Sequence, residues 1–263
     1  MPMDPRPGVN GADLWRGPVW PGPVRALMST RVGGVSAAPF DGMNISHAVG
    51  DAPESVVENR RRFEAALGAP VVWLHLVHGP AVVKVGRADL DRRPLHQADA
   101  AWTDEPGVAC AVTAADCLPL LMAVDDGRAV AAAHAGWRGL AAGVVEATVA
   151  ALCEGAGVPP SRLRVWLGPC IGPSAFEVGE DVWTAFSSWG ADRDAHFAGR
   201  VARDGVPKWS ADLQGLALTR LRELGVGEIT RDPACTVSEP SRFFSYRRDG
   251  RTGRMVAAIV RLP

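Results

Sequence analysis

The stretch that most constrains this chain runs from Cys110 to Leu140 and reads CAVTAADCLPLLMAVDDGRAVAAAHAGWRGL. Apolar runs at 118–124 and 128–134 flank Asp125, Asp126 and Gly127. Asp-Gly between apolar runs is a strong hairpin signal, because the tight turn needs positive φ and glycine adopts it freely. A turn there sets Leu118 or Pro119 opposite His134 and brings the Cys117 thiol to the same open end. AGWRG follows at once, a small-residue turn feeding an Ala-rich segment predicted helical over about 138–153. A thiol, an imidazole and a helix start therefore converge at one end of a hairpin. A packed sheet end can produce the same neighbours, since Cys is among the most buried residue types.

Composition sets outer bounds. The chain has 263 residues, 47% of them hydrophobic and 22% charged, with a formal net charge of −1. Near-neutral charge gives no electrostatic reason to expect nucleic acid or an anionic membrane as partner. No apolar run approaches the roughly 20 residues of a membrane span, and the N-terminus lacks a basic start followed by an apolar core. The five cysteines are widely spread and odd in number, unlike a disulfide framework and in keeping with a reducing cytoplasm. With no exposed apolar stripe evident, a monomer is the expectation.

Along the chain, residues 1–22 are rich in Pro and Gly and are expected to form a loose arm before a domain over 23–263. A strand ending at Arg31 meets Gly33-Gly34, and a helix begins near Pro53 or Ser55 and stops at Gly68. Val56, Val57, Phe63 and Leu67 supply its expected apolar face, with Arg60 to Arg62 on a solvated one. VVWLHLVHGPAVVKVG reads as two short strands broken at His78-Gly79-Pro80, with His75 on the opposite face from His78. Helices are expected in AFEVGEDVWTAFSSWG and WSADLQGLALTRLRELGV, and a last hairpin at Asp249-Gly250 or Thr252-Gly253. The pattern predicts an α/β (α+β) fold: one compact domain of mixed, largely antiparallel sheets packed with helices. It holds no Gly-rich phosphate loop, dinucleotide motif or Ser nucleophile elbow.

His78, Cys117 and His134 each sit at a strand end beside a Gly or small-residue turn. Their spacing is far wider than the roughly two to five residues between paired ligands of fingers and ribbons. They would form a three-ligand site assembled from separate strands, with a fourth tetrahedral position open, the catalytic kind of zinc site. Such a His2Cys set also holds copper when a weak axial Met is added, and Met122 lies on the hairpin but mid-strand. Asp116 could orient a ligand, carry a proton or simply make a turn. Arg138 near a helix start, Arg31 and Arg247 are candidate anion contacts, and Asn44 is a candidate substrate contact.

These residues carry a family likeness. LVHG (76–79), TAADCLPLL (113–121), HAGWRG (134–139), GPCIGPSAFEVGEDV (168–182) and FFSYRRDGRTG (243–253) together resemble the YfiH-type family. Its members are also called polyphenol-oxidase or multicopper laccase domain proteins and, more recently, purine nucleoside phosphorylases. STRVGGVS (29–36) and GMNISHAVGDAPESVVENR (42–60) resemble its N-terminal motifs. The resemblance implies a zinc site on His78, Cys117 and His134. It implies a layered α/β sandwich similar to the catalytic domain of cytotoxic necrotizing factor. It also implies phosphorolysis of adenosine, inosine and guanosine to base and ribose 1-phosphate, with methylthioadenosine phosphorolysis and adenosine deamination as associated activities. Two positions depart from the family pattern: Leu76 stands where Gln is usual before Val-His-Gly, and Ser46 where Gly is usual.

Other readings use the same residues. A multicopper oxidase needs many closely paired histidines, and this chain has six, none arranged as His-x-His. A metal-free Cys-His hydrolase or amidase, acting on cell-wall precursors, would use Cys117 as nucleophile and His134 or His78 as base.

Overall fold

The structure, a computed structural model, describes residues 14–93, 95–201 and 205–263. Most of the expected N-terminal arm, residues 1–13, lies outside them. Trp15–Arg16 pairs with strand Val24–Ser29, Trp15 opposite Ser29, so the end of the expected arm is already sheet.

Alternation in the central hairpin sets the layering. In Leu118–Val124, Leu118, Leu120 and Met122 face one side and Leu121 and Ala123 the other. Strand Val130–Ala135 pairs antiparallel with it around the Asp-Gly turn, where Gly127 has φ 75°. These two strands are the middle of a six-stranded sheet in the order Glu228–Arg231, Leu163–Leu167, Leu118–Val124, Val130–Ala135, Ala100–Thr103, Val82–Lys84. Only its two edge strands pair in parallel. A five-stranded sheet runs Trp15–Arg16, Val24–Ser29, Met255–Arg261, Ala109–Ala114, Val71–Val72, antiparallel except for its last pair.

The two sheets pack face to face, Val112, Met255, Ala257 and Ile259 against Leu121, Ala132 and Trp166. Helix Pro53–Leu67 covers the outer face of the five-stranded sheet through Phe63 and Leu67. Helices Val144–Ala156 and Leu213–Glu223 cover the outer face of the six-stranded sheet through Val145, Val149, Leu152, Leu216 and Leu221. The result is a four-layer helix, sheet, sheet, helix sandwich, the mixed and largely antiparallel arrangement that the patterning predicts. Burying each of Leu118, Leu120 and Leu121 completely stabilises the fold by about 1.5–3 kcal/mol. Among the described residues no helix is long and apolar enough to cross a membrane.

Several local expectations are corrected. Val57 is exposed and Asn59 is buried, because a 3.6-residue period carries position 57 off the face shared by 56, 59 and 63. Asn59 donates to Ser36, Gly42 and Asn44 and accepts from Val35, stitching the 33–44 loop to the helix. The helix after AGWRG is split in two, Trp137–Ala141 and Val144–Ala156, at Gly143 with φ 90°. The 71–84 segment holds three short strands rather than two, and Leu74–His75 pairs with His96–Gln97. The last hairpin is absent among the described residues. Tyr246–Asp249 is a helical turn capped by the Ser245 hydroxyl, and Met255–Arg261 pairs instead with distant Ala109–Ala114 and Val24–Ser29.

Candidate metal centre

The hairpin places Pro119 opposite His134 and Leu118 opposite Ala135, so Cys117 reaches the same open end as His134. His78 arrives from the turn after Leu74–His75, in the left-handed region at φ 60°. Ligand atoms of His78, Cys117 and His134 all lie within 4.8 Å of one another, and the two imidazoles meet edge to face with centroids 4.8 Å apart. One thiolate and two imidazoles on three separate segments suit a tetrahedral metal that keeps a fourth position open.

A buried carboxylate that the sequence analysis did not single out builds this constellation. Asp99 is fully buried just before strand Ala100–Thr103. Its Oδ1 accepts from His134 Nδ1 at 2.8 Å and from the His78 amide at 2.9 Å. Its Oδ2 accepts from the Val77 and Gly79 amides at 3.0 and 2.9 Å. One side chain thus folds the 77–79 turn that presents His78 and orients His134 with Nε2 free, the carboxylate–histidine arrangement found behind metal ligands. Burial works against the Asp99 charge, but the bonds from His134, Gly79 and Val77 outweigh it and hold the carboxyl below its ordinary range.

Gly136 completes the cradle. A Cβ there would stand 2.9 Å from Cys117 Sγ and 3.2 Å from His78 Cδ2, so a side chain would occupy the ligands' own space. Burial opposes ionisation of Cys117, yet His134 and then His78 bring its thiol down to about 6. Burial likewise disfavours the His134 imidazolium, while Cys117 and Asp99 push it up to about 9. The site therefore favours thiolate, the form that binds metal. Met122 is buried on the helix-facing side of its sheet, whereas His134 continues the sheet-facing series of Val130 and Ala132. No thioether from Met122 serves as an axial ligand.

The triad opens into a cavity of 610 Å³ between the 46–49 segment, the 73–78 segment and strand Ala109–Ala114. Its wall carries Arg60 and Arg254, neither in an ion pair with a carboxylate among the described residues. Arg60 donates to the Ile45 carbonyl and lies 3.8 Å over the Trp73 ring; burial lowers its pKa to about 10, still charged at neutral pH. Arg254 donates to the Thr252 and Gly253 carbonyls, and burial lowers its pKa as well. Arg60 thus leaves the solvated face expected of it, because Trp73 and the 45–46 backbone pack over its side. His75 lines the same cavity as His78, since the turn rebuilt around Asp99 cancels the strand alternation between them.

The other sequence-predicted residues take different places. Asp116, at φ 96°, accepts from the Thr236 hydroxyl at 2.6 Å, the Ser245 hydroxyl at 3.0 Å and the Arg247 amide at 2.7 Å. Its carboxylate is a junction between loops and is not on the cavity wall. Asn44 is buried and bonds Ser46, Asp51 and the Arg254 amide, so it supports two cavity residues from behind. Arg31 lines a separate depression with Asp41 and Pro240. Arg138 lies over Trp137, and Arg247 donates to the Glu177 carbonyl; both are exposed and off the cavity wall. Whether an arginine packs into a cavity wall is decided by tertiary packing alone, so Arg60 and Arg254 left no local signal. Asp99 left only an acidic residue ahead of an apolar strand.

Comparison with known proteins places this geometry. A purine nucleoside phosphorylase of Pseudomonas aeruginosa is 48% identical over 249 residues, covering 94% of this chain and 98% of that protein. The purine nucleoside phosphorylase YfiH of Escherichia coli is 46% identical over 247 residues, covering 92% and 96%. A Neisseria meningitidis protein of the DUF152 family superposes with TM-score 0.86 at 42% identity, covering 95% of this chain and 99% of its own. YlmD of Geobacillus stearothermophilus superposes with TM-score 0.82 at 32% identity, covering 92% and 93%. The family described as multi-copper polyphenol oxidoreductase laccase matches residues 25–262. The match takes in the sandwich from residue 25 onward, with His78, Cys117 and His134, and this chain belongs to that family, the family of YfiH.

Proposed function

We propose that this protein is a zinc-dependent purine nucleoside phosphorylase. It converts adenosine, inosine, guanosine and methylthioadenosine with phosphate to base and sugar 1-phosphate, and it deaminates adenosine as a second activity. The observation that carries the reading is the His78–Cys117–His134 triad opening into a cavity with half-buried arginines that make no ion pair with a carboxylate among the described residues. The names of relatives matched over nearly their full length support the purine substrate. Two imidazoles and a thiolate form a donor set suited to zinc, which when bound supplies a Lewis acid with one exchangeable position.

In phosphorolysis the N-glycosidic bond breaks, a phosphate oxygen bonds the sugar C1′, and the proton of hydrogen phosphate ends on the departing base. Arg254 and Arg60 hold the phosphate, since a half-buried guanidinium without a carboxylate gains from an anion that replaces lost water. Trp73, Leu74, Leu76 and Tyr246 give the base apolar surface. Leu76, where the family usually has Gln, makes this part of the wall less polar. His47 stays neutral because burial and the Arg60 and Arg93 charges lower its pKa, so it can share a hydrogen bond with a purine nitrogen. Asp116 acts as a positioning residue that ties the Cys117 loop to Thr236 and Ser245, its carboxylate being occupied by those bonds.

The test couples metal analysis to product analysis, with wild type and Cys117→Ala incubated with adenosine, inosine or guanosine and phosphate. About one zinc per chain and formation of base plus ribose 1-phosphate, both lost in the variant, are expected. Zinc bound with every purine nucleoside left intact would overturn the substrate assignment. A metal-free protein whose Cys117 alkylates readily would overturn the zinc reading and favour the cysteine hydrolase.

A further inference from the structure

We infer a second cysteine site, independent of the purine reading: Cys235 is a peroxide-reactive thiol and Cys170 is its resolving partner. Both are free thiols. They face each other across an isolated parallel bridge, closed by the Thr236 amide donating to the Cys170 carbonyl at 3.0 Å. Bridged backbones lie about 4.7–4.9 Å apart, within the roughly 4.4–6.8 Å Cα separation of disulfides. Cys235 is half-buried, whereas Cys170 is only 3% exposed, so an oxidant from solvent meets Cys235 first.

The surroundings of Cys235 favour its reactive form. The Gly172 amide donates to its sulfur at 3.2 Å. Burial opposes the thiolate, but the Ser238 side chain and the amides of Gly172, Ser238 and Val237 outweigh it and lower the pKa. A Cβ at position 172 would lie 3.4 Å from the sulfur, so the glycine keeps that side clear. Cys117 is engaged by His78 and His134, and the other two thiols differ. Cys110 is fully buried and Cys153 is half-buried, and burial raises both with no compensating donor.

The chemistry balances with hydrogen peroxide as oxidant. The Cys235 thiolate attacks one peroxide oxygen, forming an S–O bond as O–O breaks, and the departing hydroxide takes a proton to become water. The resulting sulfenic acid is then displaced by the Cys170 sulfur; S–S forms, S–O breaks, and the Cys170 proton leaves with hydroxide as a second water. The bond would reach the metal centre mechanically. Thr236 and Ile171, the neighbours of the two cysteines, both bond Asp116, the residue before Cys117.

Zinc-loaded protein is titrated with hydrogen peroxide and mapped by non-reducing peptide mass spectrometry. A reversible Cys170–Cys235 link is expected, with Cys235 consumed at least about tenfold faster than Cys153. Cys170→Ser should leave a Cys235 sulfenic acid that dimedone traps, and Cys235→Ser should leave Cys170 unoxidised; zinc retention checks that both variants fold. Equal rates at Cys235 and Cys153, a link to any other cysteine, or Cys235 consumed in wild type with Cys170 still free would each overturn the assignment. The wild-type map decides the question even if a variant fails to fold.

Discussion

Replacing Asp99 by Asn tests whether one buried carboxylate builds the metal centre. Asp99 accepts four hydrogen bonds, from His134 Nδ1 and from the amides of residues 77, 78 and 79. Asn offers one acceptor oxygen and two donors in the same space. With that oxygen toward His78 and His134, its NH2 confronts the Val77 and Gly79 amides and leaves two buried donors unpaired. At about 1–3 kcal/mol for each, the loss is about 2–6 kcal/mol. With the amide turned over, its NH2 faces His134 Nδ1 and drives the ring proton to Nε2, the nitrogen needed for metal. Either orientation damages the site, and second-layer losses of this kind cost roughly 10–100-fold in metal affinity. Zinc affinity by competition with a chromogenic chelator and thermal unfolding of the metal-free protein measure the two effects. The unfolding midpoint should fall by at least about 2 °C, at roughly 2–4 °C per kcal/mol for a chain of this size, since even the turned-over amide leaves the His78 amide unpaired. A variant with zinc affinity within twofold of wild type and an unchanged midpoint would refute the role given to Asp99.

Gly136→Ala puts a methyl 2.9 Å from Cys117 Sγ and should cost at least about tenfold in zinc affinity while leaving the circular dichroism spectrum unchanged; wild-type affinity would show that the ligands can step aside. Arg254→Met keeps the side-chain bulk and removes the charge, so the KM for phosphate should rise at least about tenfold with the KM for nucleoside little changed. In metal-free protein, Cys117 is lowered to about 6 and His134 raised to about 9. The thiolate's contribution is present above the ordinary thiol pKa and lost as pH falls through about 6; that of the imidazolium is present below its ordinary pKa and lost as pH rises through about 9. Both describe one ion pair, so it is counted once. The thiolate absorbance of metal-free protein should titrate near pH 6 and be missing in Cys117→Ser, and a midpoint near 8.5 would contradict the pairing.

Local chemistry alone determined the hairpin and the meeting of Cys117 with His134. Asp126-Gly127 requires a tight turn, the turn sets the register, and the register puts His134 against Pro119 with Cys117 beside it. The same local rules begin helix Pro53–Leu67 at its proline and end it at Gly68, and period-two alternation marks the buried central strands. His78 could be named from its Gly-Pro turn, but its approach to the hairpin depends on three backbone bonds to Asp99, a residue 21 positions along the chain. Nothing in the neighbourhood of Asp99 signals that role, because hydrogen bonds between distant segments leave no periodicity. Arg60 and Arg254 were hidden for the same reason: an arginine on a helix face or before a strand reads as solvated until Trp73 and the 252–254 backbone close over it. The 243–253 segment shows the opposite failure. Its Asp-Gly and Thr-Gly pairs obey hairpin chemistry, yet Asp116 holds Ser245 and the Arg247 amide in a helical turn, and strand Met255–Arg261 takes its partners from across the sheet. Turn propensity is worth little beside a buried carboxylate that needs donors, so tertiary structure decided the cavity wall where the sequence alone had specified only the candidate triad.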